Sequence, residues 1–179
     1  ELDLSNNRLS SRAAVVLVDG VVNSSCTSLA RLDLSHNNLD SHCCEALANI
    51  IRHDYGQPDG TALQGLLHLD LSWNMLKAHD AAVVVTAAGV AKALRFLNLA
   101  FNRLGDPGAE ALASALTTNT TLEEVDLSYN GITGVHCGSI SSAISNNAGC
   151  KLQLLELHGN VIGPEGLQLL QDCVPKNKE

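Results

Sequence analysis

At 179 residues and 45% hydrophobic side chains, the sequence holds enough apolar material for a sizeable core and does not read as disordered. Its 11 Lys and Arg against 19 Asp and Glu, a formal charge of -8, argue against a nucleic-acid footprint and against attraction to an anionic membrane surface, and favour basic partners. No run of about 18 apolar residues occurs, and "AAVVVTAAGVAKAL" at 81–94 is too short and too broken to span a bilayer.

The first element, "ELDLSNNRL", alternates Leu with polar residues, the two-residue period of a strand with one buried face, and ends on Asn7. The phrase returns as "LARLDLSHNNL" around Asn37, followed by a helix in "SHCCEALANIIR". Gly56, Pro58 and Gly60 then break any regular element in "HDYGQPDGT", residues 53–61, which reads as a loop insertion at one edge. Such an insertion costs little loop entropy, and it would present Tyr55 as a contact. The third copy, "LLHLDLSWNML", carries Asn74 and the lone Trp, Trp73. In the fourth, "LRFLNLAFNRL", Leu97 and Leu99 point to the core and Asn98 to the opposite side, with Leu94 and Leu104 completing a buried set. Each fully buried Leu contributes roughly 1.5–3 kcal/mol in transfer terms.

The segment "GDPGAEALASALTTNTT", residues 105–121, predicts the clearest helix. Asp106 is expected to cap it, Pro107 suits the first helical position, and Leu112 and Leu116 share a face. Leu47, Val84, Ile140 and Leu170 hold the place of Leu112 in other copies. "LEEVDLSYNGI" with Asn130 and "LQLLELHGNVI" with Asn160 close the series, giving spacings of 30, 37, 28, 28 and 30 between the repeated Asn residues.

Six such copies resemble the leucine-rich repeat family, and the 28-residue period resembles its ribonuclease-inhibitor-type repeats, as in ribonuclease inhibitor and the sensor domains of NOD-like receptors. The resemblance implies an α/β fold, a right-handed solenoid or horseshoe with parallel strands on the concave face and helices on the convex face. One domain of six repeats is expected over residues 1–179. Glu1 falls in mid-repeat with neither an initiating Met nor a signal-like segment, so the chain is expected to be a fragment of a longer array. Neither open end has a clear polar cap before "VPKNKE". The resemblance also gives Asn7, Asn37, Asn74, Asn102, Asn130 and Asn160 a structural role, bonding backbone groups of adjacent turns.

Two columns stand out down the stack. Between the two strand Leu positions lie Asp3, Asp33, Asp70, Asn98, Asp126 and Glu156, whose mutual repulsion a basic partner would relieve and whose carboxylates also suit local backbone donors. Immediately before the repeated Asn lie Asn6, His36, Trp73, Phe101, Tyr129 and Gly159, so four successive repeats present a flat ring, with Phe96 in the same neighbourhood. Rings in register can simply stack, yet an aromatic stripe beside an acidic column also describes an interface hot spot. The candidate partner-binding residues are therefore His36, Trp73, Phe101, Tyr129, Phe96, Asp33, Asp70 and Asp126.

Other chemistry finds little support. Cys44 and Cys137 fall in the small buried helix slot of Ala14, Ala81 and Ala109, whereas Cys43 is expected on the helix surface. Scattered thiols point to a reducing compartment, the cytoplasm or a cytoskeletal or ciliary extension of it. The adjacent ligand types in "HCC" and "HC" diverge on a helix, so no metal and no cofactor are expected. The sequons at Asn23 and Asn119 read as chance. No hydrolase, phosphate-loop or zinc-protease motif occurs, and the expected function is a non-catalytic scaffold binding a protein, with a basic segment favoured. The alternatives are a structural component of a large cytoskeletal or ciliary assembly and, by analogy with the Ran GTPase activator, a GTPase-activating or enzyme-inhibiting regulator.

Overall fold

The computed structural model describes residues 1–23, 29–53 and 65–171. Cys26, Tyr55, Cys173 and all of the 53–61 insertion except His53 lie outside them. Among the described residues six short strands alternate with six α-helices. The strands are β1 (Leu2–Asp3), β2 (Arg31–Asp33), β3 (His68–Asp70), β4 (Phe96–Asn98), β5 (Glu124–Asp126) and β6 (Leu154–Glu156). The helices are α1 (Ser11–Val22), α2 (Cys44–Arg52), α3 (Ala78–Val90), α4 (Gly105–Leu116), α5 (Cys137–Asn146) and α6 (Gly163–Gln171). One open sheet runs in chain order from β1 to β6, every pair parallel.

Sheet register reproduces the phase of the repeat, because a slip of one residue would turn every Leu out of the core. Leu2 pairs with Leu32, Leu32 with Leu69, Leu69 with Leu97, Leu97 with Val125 and Val125 with Leu155. From the second repeat to the fifth this row is buried, as are Leu34, Leu71, Leu99 and Leu127 two residues on. The predicted helix positions Leu47, Val84, Leu112 and Ile140 back the same core, with Leu170 half-buried at the far end.

Polar groups at the turns are met by side chains. The carboxamide of Asn74 accepts from the Leu39 N–H at 3.0 Å and donates to the carbonyls of Leu34, Leu71 and Ser72. Asn37, Asn102, Asn130 and Asn160 repeat this bridge, each joining its own turn to the repeat before it. The side chain of Asn7, at the first repeat, bonds only the Ser5 carbonyl among the described residues.

A second, shorter ladder runs at the other end of the helices. Asn119 is 4% exposed, and its amide nitrogen donates to the carbonyls of Ala88 and Gly89, which end α3. Asn147, 28 residues on, does the same for the carbonyls of Leu116 and Asn119. Helix C-termini leave unpaired carbonyls, and these two residues bond those of Ala88, Gly89 and Leu116 at the ends of α3 and α4. The sequon at Asn119 is thus closed to glycosylation in the folded chain, since its nitrogen is buried and committed.

Two expectations need correction. Asp106 does not cap its own helix; its carboxylate accepts from the N–H and hydroxyl of Thr133, one repeat later, at 2.7–3.0 Å. Cys43 is not on a helix surface but fully buried, because residues 41–43 wind as a tight 3-10 turn that rotates its thiol inward to donate to the Asp40 carbonyl.

Candidate functional site

Each strand ends because the chain must turn, and the turn is made at the residue before the ladder Asn. That residue has a left-handed backbone in all six repeats: φ is 57° at Asn6, 51° at His36, 54° at Trp73, 54° at Phe101, 53° at Tyr129 and 70° at Gly159. Asn and Gly enter this region cheaply, whereas a bulky residue there is a genuine outlier costing on the order of 1–3 kcal/mol. Four successive repeats thus hold rings where the backbone prefers Gly or Asn.

The rings offset part of that strain by stacking. His36 and Trp73 lie 5.0 Å apart between centroids, Trp73 and Phe101 3.8 Å, and Phe101 and Tyr129 4.2 Å, all within 14° of parallel. The row closes on Gly159, where an added Cβ would meet the Tyr129 ring at 2.5 Å, and on His158, edge-on at 5.2 Å. Ring faces are therefore turned to one another, and edges and polar tips are what the row offers outward. Trp73 remains 47% exposed and Tyr129 46%, Phe101 is half-buried and His36 exposed.

Phe96 does not join this row. It stacks on His68 at 3.8 Å and 3° in the neighbouring strand register, making a separate pair. Burial there, and then Arg31, hold the imidazole of His68 below its usual pKa.

The acidic column has local work. One oxygen each of Asp33, Asp70 and Asp126 accepts the backbone N–H two residues on, at 2.8–2.9 Å, and Asn98 uses its amide oxygen in the same way. Asn98 also donates to the second oxygen of Asp70 at 3.0 Å, relieving repulsion at mid-column. The second oxygens of Asp33 and Asp126 make no hydrogen bond among the described residues.

Other reactive side chains do not converge. The ring of His42 turns outward to Asp40 while Cys43 and Cys44 turn inward, and burial lifts the Cys44 thiol to about 12. Ser128, His158 and Glu156 cluster, but both contacts fall on the same ring nitrogen, Nδ1 at 2.8 and 3.3 Å, so no proton relay is built. Among the described residues, no three His, Cys, Asp or Glu side chains gather as a metal site.

A family profile described as "Leucine Rich repeat" matches residues 25–48, 92–113, 118–135 and 150–170. The chain belongs to the leucine-rich repeat family. The profile falls on the second, fourth, fifth and sixth copies, and the first and third repeats pair into the same sheet in the same register. No curated protein matches the chain. Leucine-rich repeat domains generally mediate protein–protein interaction and are typically non-catalytic.

The columns were legible in the sequence, but the left-handed backbone beneath the rings was not read from it. Its signal was present, since Asn6 and Gly159 occupy the same column and are the residue types that favour that conformation.

Proposed function

We propose that this leucine-rich repeat chain is a non-catalytic binding module that holds a protein segment along its concave face, across His36, Trp73, Phe101 and Tyr129. The observation that carries this reading is the row of rings kept on strained backbone and left nearly half exposed at Trp73 and Tyr129. Backbone strain concentrated at one surface row, where cheaper residues would serve the fold, is a mark of function. The partner segment is basic: Asp33 and Asp126 each bring an uncommitted oxygen beside the row, and the chain carries a net -8. Unbridged buried thiols at Cys43, Cys44 and Cys137 support a reducing, intracellular setting.

The test is a triple Ala variant at Trp73, Phe101 and Tyr129, compared with the parent by circular dichroism and by proximity cross-linking and mass spectrometry from native lysate. A folded variant that loses the cross-linked partners is the expected result. Undiminished capture of every partner would overturn it.

A further inference from the structure

Asn130 is followed by Gly131, the one Asn-Gly pair in the sequence. This dipeptide is chemically vulnerable, because without a Cβ on the second residue its backbone nitrogen can swing onto the side-chain carbon of the first. In the folded chain the attack is blocked at Asn130. Asn130 is 3% exposed, its amide nitrogen donates to the carbonyls of Leu99 and Ser128 at 2.9 and 3.1 Å, and its amide oxygen accepts from the Leu104 N–H at 3.2 Å. Its own backbone is pinned as well, the N–H by Asn160 and the carbonyl by Gly105. No rotation can bring Cγ to the Gly131 nitrogen without breaking the ladder.

We propose that Asn130–Gly131 is a deamidation site gated by the fold, which turns opening of the fifth repeat into an irreversible event. When the repeat opens, the Gly131 nitrogen loses its proton to hydroxide and bonds to Cγ of Asn130. The bond from Cγ to the amide nitrogen breaks, that nitrogen takes up a proton and leaves as ammonia, and a five-membered succinimide remains. Water then opens the ring to aspartate or to isoaspartate. Neither product fits the ladder. Aspartate has lost both amide hydrogens and would set carboxylate oxygens against the carbonyls of Leu99 and Ser128, while isoaspartate adds an atom to the backbone at the left-handed turn beside Tyr129.

The experiment incubates the whole chain at mildly alkaline pH in buffer and in denaturant, then reads the amide-to-acid mass gain at residue 130 by proteolysis and mass spectrometry. Conversion in denaturant should exceed that in buffer by on the order of 100-fold, the ratio set by how seldom a core repeat opens. Converted molecules should not regain the native circular dichroism signal after dilution. Gly131→Ala, measured in denaturant so that its folding is immaterial, should slow conversion about ten-fold or more through its added Cβ. Equal rates in buffer and denaturant, full recovery of converted chains, or an unslowed Gly131→Ala would each overturn the proposal.

Discussion

Asn74 and Asn7 occupy the same place in the repeat but not the same environment. Replacing Asn74 by Ala strands the Leu39 N–H in the core and takes one of two donors from each of the Leu34, Leu71 and Ser72 carbonyls, which keep Asn37, Asn102 and the His36 N–H, and a loss of about 2–3 kcal/mol is expected. In a chain of residues 1–179 the side chain of Asn7 holds only the Ser5 carbonyl, so in that chain Asn7→Ala should stay within about 0.5 kcal/mol. Equal shifts of the two denaturant midpoints would contradict this. Trp73→Ala removes two stacking contacts, at a cost of about 1–3 kcal/mol, and should leave the chain folded. Acid tests another residue: the Ser11 hydroxyl, and then His42, hold the Asp40 carboxyl at about 2. A carboxyl depressed in the folded state favours folding above its unfolded value of about 3.9, and that contribution drains away as pH falls toward 2. Solvent exposure keeps it modest. Ser11→Ala should therefore raise the Asp40 titration midpoint, read by NMR, and move acid unfolding to higher pH.

Among the elements, α3 buries Ala81, Val84, Val85, Ala87, Ala88 and Gly89 between α2 and α4, and at Gly89 it lies close against α4. A Cβ at Gly89 would lie 2.6 Å from the Ala115 Cβ, so Gly89→Ala should cost about 1–3 kcal/mol by overpacking despite its better helix propensity. A denaturant midpoint that rises instead would show that the helices can part. The strands and helix cores were open to reading because a Leu at a fixed phase reports burial whichever repeat it stands in. Asp106 was misread because local capping chemistry and a bond to the next repeat call for the same side chain, and only the stack decides between them. Asn119 was passed over for a similar reason: its role depends on helix ends 28 to 31 residues away, which a tripeptide pattern does not contain.

Over the whole molecule, stability is carried between neighbours, since every sheet pairing joins consecutive repeats. Damage at one repeat therefore divides the array instead of thinning it, which is why a single altered amide at Asn130 would be so consequential. The charge of -8 acts over the same scale. Attraction of a basic segment should weaken as salt rises past about 0.15 M, where the screening length is about 8 Å, and a partner whose capture ignores salt would argue against a charged contact. The period, the core and the columns could all be read from the sequence, whereas the geometry of the site could not, because left-handed backbone under an aromatic ring follows from the turn and not from the ring.

The stacked row also makes the molecule its own instrument. The lone indole lies between an imidazole and a benzyl ring, on the strip where a partner is proposed to dock. Its fluorescence should therefore change when the neighbouring repeats part and when a segment settles on the rings, so that occupancy of this surface can be followed by light emission without attaching any label.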